Sequence, residues 1–136
     1  MLSKLFNTLC FTIPLFTIVN IDMDIIAQIE SSNNPRAYNK VSKATGMYQI
    51  TPICLQDYNN LNKRKFKLIE MYNKDKAYIV AEWYMNERIP QLLKHFKVQD
   101  TLDNRLICYN AGISKTIKGN PPKETVNYIK KYRRLL

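Results

Sequence analysis

From residue 22 onward apolar side chains return every three or four positions, and the prolines and glycines fall mostly between those runs. A chain patterned this way can bury its apolar stripes only by packing amphipathic helices against one another. Ile25, Ile26 and Ile29 make one face of a first helix, which Asp22 or Asp24 can cap. That helix must end near Ser32, because Asn33-Asn34-Pro35 is loop chemistry. Residues 36–45 are polar and irregular, with room for a short hairpin or a plain loop. An apolar stretch over 46–55 is broken by Pro52, which suits the first turn of a helix. The longest helix is predicted to start near Asn73 or Asp75. Ala77, Val80, Ala81 and Tyr84 share its face with Trp83 beside them, and Pro90 kinks or ends it. A further helix spans about 103–111 and stops at Gly112. After a turn carrying Gly119-Asn120-Pro121-Pro122, a last helix sets Val126, Ile129 and Tyr132 one turn apart. The expected fold class is all-α, or α+β at most through a minor hairpin. With 136 residues there is material for one core.

The first twenty residues read differently. A short positive start ending at Lys4 is followed by an almost wholly apolar or small run over 5–19, and no other charge precedes Asp22. The expected organisation is a signal peptide or membrane anchor over 1–20 and a folded domain over 21–136. Pro14 interrupts the run and no A-x-A-like cleavage site follows it, so cleavage and tethering both stay open, as does a buried first helix. Export to the periplasm, cell envelope or exterior is the expectation that follows. It would permit a disulfide between Cys54 and Cys108, yet both stand among apolar neighbours, which favours buried free thiols. His95 is the lone histidine and lies far from both cysteines in sequence, so no Cys/His metal site is expected.

Lys and Arg number 21 against 11 Asp and Glu, a net charge of +10. Such a surface favours polyanions: nucleic acid, anionic lipid, or a carboxylate-bearing cell wall. The nine tyrosines form no stacking or recognition motif, and nucleic acid is not an expected partner. The basic run Lys130-Lys131-Tyr132-Arg133-Arg134 reads first as a solvated helix end, where positive charge suits the helix dipole.

Glu30 is the residue with the most chemical promise. It closes a strongly apolar helix and stands directly before a polar loop. A carboxyl partly desolvated there holds its proton to higher pH, and a protonated carboxyl is what the leaving oxygen of a glycosidic bond requires. Alone, the residue reads sooner as a solvated glutamate at a helix end, as most such glutamates are.

Four blocks in order alter that balance. Glu30-Ser31-Ser32-Asn33-Asn34-Pro35 is followed by Ala44-Thr45-Gly46-Met47-Tyr48-Gln49-Ile50-Thr51-Pro52, then Cys108-Tyr109-Asn110-Ala111-Gly112, then Pro122-Lys123-Glu124-Thr125-Val126-Asn127-Tyr128-Ile129. Together they resemble the signature of the lytic transglycosylase family, the goose-lysozyme-like SLT domain, over about residues 24–132. The resemblance implies a lysozyme-like helical domain acting on peptidoglycan glycan strands, without a cofactor and as a monomer. It implies Glu30 as the sole catalytic acid/base with Ser31 its customary neighbour, and Gln49 lining the saccharide groove. It implies that the Tyr109 hydroxyl approaches the catalytic carboxyl, that Asn110 belongs to the same wall, and that Glu124 meets the peptide side of the substrate. Tyr48 replaces the methionine common in the family's G-L-M-Q element and is free to stack on a sugar or fill the core. Cys108 replaces the first alanine of A-Y-N-A-G. The loop between Glu30 and Gln49 is one residue longer than the commonest pattern. A serine usual in that loop falls near Asn39, with Ser42 close by.

Few carboxylates are placed to assist Glu30. Asp22 and Asp24 share its helix, and Asp57 reads as a solvated helix position. A single-acid reaction therefore fits better, and the resemblance implies one: cleavage of the bond between N-acetylmuramic acid and N-acetylglucosamine, with closure of a 1,6-anhydro ring. The rivals are a lysozyme-type hydrolase of the same bond and a basic, non-catalytic wall- or polyanion-binding module.

Overall fold

The computed structural model describes residues 18–136. Residues 1–17, on which the leader reading rests, lie outside the described residues. Among the described residues no helix is long and apolar enough to cross a membrane.

Among the described residues seven α-helices carry the fold: α1 (Met23–Ser31), α2 (Pro52–Asn62), α3 (Lys74–Trp83), α4 (Ile89–His95), α5 (Leu102–Ala111), α6 (Ile113–Lys118) and α7 (Lys123–Leu135). A 3₁₀ segment, Leu68–Tyr72, precedes α3. The all-α expectation holds, and the hairpin allowed for over 36–45 reduces to isolated bridges, Tyr38 with Thr45 and Thr45 with Ile50. Helix starts follow ordinary capping chemistry. The Asp22 carboxylate accepts from the N–H groups of Asp24 and Ile25, and Thr51, Asn73 and Thr101 cap α2, α3 and α5. Pro52 opens α2 as its position suggested.

Pro90 does not end the long helix. A π-helical turn, Tyr84–Arg88, joins α3 to α4, and within it the Ile89 N–H reaches back to the Tyr84 carbonyl. One residue is thereby inserted, and Pro90, which has no N–H to give, sits in the first turn of α4. The resulting rod is the axis of the core: Ala77, Val80, Ala81, Met85, Ile89 and Leu93 along it are all fully buried. Truncating any of the larger ones to alanine costs about 2–5 kcal/mol. Ile26 of α1, Leu55 and Tyr58 of α2, Met71 of the 3₁₀ segment, Leu106 of α5 and Tyr132 of α7 belong to the same core.

Two features lock segments distant in sequence around this rod. The fully buried Tyr132 accepts the Asp22 N–H on its hydroxyl at 2.8 Å, fastening α7 to the start of α1. The 37–50 loop is clamped by the mutual Thr45–Ile50 backbone bonds and by Gly46, whose N–H donates to the Ala37 carbonyl at 2.8 Å. Gly46 has φ +82°, and a Cβ there would lie 1.9 Å from the Met71 carbonyl oxygen. Only glycine lets the 3₁₀ segment close onto this loop. Cys54 and Cys108 are free thiols, Cys54 half-buried and Cys108 buried. Burial pushes the first up to about 12 and the second to about 11, so both stay protonated.

Candidate active site

Glu30 is the penultimate residue of α1. The helix ends immediately beyond it because Ser32 and Asn33 adopt left-handed backbone, φ 54° and 61°. Their N–H groups turn back to the Gln28 and Ala27 carbonyls at 2.9 and 3.2 Å. The chain is thus thrown away from α1, and the Glu30 side chain is left facing a cleft of about 800 Å³. Around the cleft stand Asn39, Gln49, Asn110, Glu124, Asn127 and Tyr128, with Lys123, Lys131 and Arg134 on its rim.

The carboxyl is raised from the ordinary 4.5 to about 7. Desolvation is the largest cause. The Tyr128 hydroxyl lowers it, and the like charge of Glu124 raises it again. Tyr128 is buried, and among the described residues its hydroxyl is the buried side-chain oxygen without a hydrogen-bond partner of ordinary geometry. The two groups nevertheless act on each other, since Glu30 pushes the phenol upward. Tyr128 is thus the phenol set beside the Glu30 carboxyl, placed to donate to it. Tyr128 stood in the fourth sequence block with no role attached. Its spacing from Glu124, four residues and hence one helical turn, was the available signal.

The other candidates separate into two groups. Gln49, Asn110 and Glu124 line the cleft. Gln49 reaches its position through left-handed backbone, φ 52°, with its side-chain amide donating to the Gly46 carbonyl at 3.0 Å. The Asn110 side-chain oxygen accepts from the buried Thr125 hydroxyl at 2.8 Å, which leaves the amide N–H groups of Asn110 for the cleft. Tyr109 lies close enough to Glu30 for that charge to raise its phenol, yet its hydroxyl donates to the Tyr48 carbonyl at 2.8 Å. It braces the wall; the phenol turned toward Glu30 with its hydroxyl otherwise unengaged is Tyr128.

Ser31 and Tyr48, both expected at the substrate, do not line the cleft. The Ser31 hydroxyl lies 2.7 Å from the Met47 carbonyl and 3.2 Å from that of Ala27, and it accepts the Asn34 N–H. Its polar capacity is spent tying α1 to the Gln49 loop. Tyr48 is 4% exposed, with its ring edge-on to Tyr78, so it fills the core and offers only its backbone carbonyl to Tyr109. Of the loop polar residues, Asn39 lines the cleft, whereas the Ser42 hydroxyl turns back to the Ala44 N–H.

A second hollow of about 380 Å³ adjoins the first, sharing Gln49 and Asn110 and walled by Tyr109, Tyr84, Ile53 and Ile113. Asp57 lines it, and its carboxylate is half-buried and held by the Arg88 guanidinium at 2.6 Å. The solvated position expected for Asp57 is therefore a paired one, because the π-turn swings Arg88 over α2. On the other side the cleft continues into a hollow of about 340 Å³ that shares Ile29, Lys131 and Arg134. The three hollows adjoin through these shared residues, the one beside Tyr109 lined largely by apolar side chains and the one at the end of α7 carrying Lys131 and Arg134, with Glu30 in the cleft between. Among the described residues no cluster of metal-ligating side chains is present.

A groove centred on one protonated carboxyl is suited to protonating a leaving oxygen. The comparisons with known proteins agree in class. No curated protein and no solved structure matches the chain. The family model for the transglycosylase SLT domain matches residues 22–130, the whole span from the cap of α1 to the middle of α7. That family cleaves the glycan strands of peptidoglycan, and its domain is lysozyme-like and helical, as here. On this match, which covers well over half of the sequence, the chain belongs to the transglycosylase SLT domain family.

Proposed function

We propose that this protein is a lytic transglycosylase that cuts the β-1,4 bond between N-acetylmuramic acid and N-acetylglucosamine, with Glu30 as its acid and then its base. In the first step the Glu30 proton passes to the glycosidic oxygen as the C1–O bond breaks, and the N-acetyl group of the muramic residue stabilises the cation at C1. In the second, the Glu30 carboxylate takes the proton of the 6-hydroxyl while that oxygen bonds to C1. The 1,6-anhydro ring closes, Glu30 is protonated again, and no water is consumed. The observation that carries the reading is the state of Glu30: desolvated, raised to about 7, and so available in both forms near neutral pH. Gln49, Asn110 and Glu124 are the proposed substrate contacts, with Tyr128 as a donor beside the acid.

One observation favours a second reading. Glu124 lines the same cleft and is exposed, so it is available to activate a water, and the enzyme would then be a muramidase. Asp57 is a poorer candidate, because Arg88 holds it. Mass analysis of muropeptides from digested sacculi separates the two. Anhydro ends are expected; reducing ends alone would make the protein a hydrolase.

We further place the protein in the cell envelope or outside the cell, where its polymer is. Detection of the tagged protein in periplasmic, envelope or medium fractions, and not in the cytosol, is the expected outcome.

A further inference from the structure

The basic run near the C-terminus is divided by the turn of α7. Arg133 faces away from the groove and pairs with Asp103 of α5. Lys130 does not line the groove. Lys131 and Arg134, three residues apart on the other side of the helix, line both the Glu30 cleft and the hollow that extends it. Among the described residues neither is in an ion pair with a carboxylate. They continue one stripe that begins at Glu124 and passes through Asn127, so the wall is acidic at the start of α7 and basic at its end. Glu124 and Lys131 are seven residues apart, about 10 Å along the axis. The basic end therefore stands about two helical turns beyond the acidic one and is free to serve a different part of the ligand.

We propose that Lys131 and Arg134 form a subsite for the free carboxylates of a peptide stem carried by the muramic residue next to the bond being cut. This rests on the reading of the groove as a peptidoglycan site, and it names a requirement that the sugars alone do not supply. Two exposed cations without a carboxylate partner, on the rim of the groove, attract an anion held by the same polymer that fills the cleft. A stem attached to the sugar delivers its carboxylates without a separate binding event. The guanidinium of Arg134 suits a planar carboxylate, with Lys131 as a point charge beside it.

The test uses soluble, stem-bearing glycan strands and the same strands with their stem carboxylates converted to methyl amides. The full-length wild type is expected to lose about three- to tenfold in kcat/KM on capping, mostly through KM, as two exposed charge contacts imply. Lys131→Ala with Arg134→Ala should lose a similar factor on the native strands and be indifferent to capping. Lys118→Ala with Lys130→Ala, which removes the same charge away from the groove, should keep the wild-type preference. Indifference of the wild type to capping, or an undiminished preference in the Lys131/Arg134 variant, overturns the proposal. Glu30→Gln, assayed on both substrates, tests the underlying reading separately. If it is inactive while capping changes nothing, only the stem subsite falls.

Discussion

The two walls of the Glu30 groove are built on opposite terms. One wall, made of the end of α1, the 37–50 loop and the end of α5, is held by polar groups that face inward. Ser31 grips the Met47 carbonyl, Tyr109 grips that of Tyr48, and Gln49 grips that of Gly46. The other wall is one face of α7, whose cleft residues Lys123, Glu124, Asn127, Lys131 and Arg134 are exposed. Buried Thr125 and Tyr132 anchor that helix to the rest of the domain, and buried Tyr128 turns its hydroxyl toward Glu30. The first wall fixes where the carboxyl sits and how dry it is. The second sets what charge lies beside it. Substitutions in the first should therefore change catalysis or folding by large factors, and substitutions on the exposed face of α7 should tune affinity and pH response.

The largest effect is expected at Glu30. Glu30→Gln should lower turnover on sacculi by about three orders of magnitude while glycan binding survives, which muropeptide release and a sedimentation assay would measure. The same variant tests the desolvation. The native state keeps a proton on Glu30 that the unfolded chain gives up near 4.5. Stability from that proton is complete below pH 4.5 and is lost as pH rises through 7. The wild type should therefore lose about 3 kcal/mol relative to Glu30→Gln between pH 4 and pH 8 in urea melts. Equal pH dependence of the two would mean that the carboxyl is wet.

Gly46→Ala comes next. Its Cβ meets the Met71 carbonyl in a backbone conformation that disfavours side chains, and a loss of several kcal/mol in folding stability is expected from thermal melts. Thr125→Val should leave the fold intact but release the Asn110 side chain, raising KM about tenfold, with Thr125→Ser restoring it. The smallest effects belong to the charges around the acid. Glu124→Gln removes a repulsion and should move the alkaline limb of kcat/KM to lower pH. Tyr128→Phe removes a group that lowers Glu30 and should move that limb to higher pH. Shifts in the same direction would break the comparison between the walls.

The first wall was largely legible in the sequence. A helix with Glu30 at its end, loop chemistry at Asn33-Asn34-Pro35 and a helix start at Pro52 are local matters, settled by caps, breakers and periodicity. Motif order joined Gln49 and Asn110 to Glu30 without any knowledge of distance. What was not legible is which hydroxyl serves the site and which serves the scaffold. Ser31 and Tyr48 are adjacent to site residues in sequence, yet a helix and a tight loop send adjacent side chains in different directions. Tyr109 and Tyr128 differ in role only because one phenol finds a carbonyl and the other does not. The continuity of the long rod through Pro90 was hidden for another reason: a π-turn is a response to packing on both flanks, and α6 is too short for periodicity to mark.

By itself the sequence determined that this chain is a one-core helical protein with its prolines and glycines at the joints, and that a carboxyl stands where a helix breaks. Those outcomes depend on interactions within a few residues, which a linear reading contains. Only the tertiary structure decided that this carboxyl is desolvated, that Asp57 is neutralised by Arg88, and that a five-residue basic run offers two of its charges to the groove and turns another to Asp103. Desolvation and pairing depend on which surfaces meet, and the meeting partners lie 31 residues apart for Asp57 and Arg88 and 30 for Asp103 and Arg133.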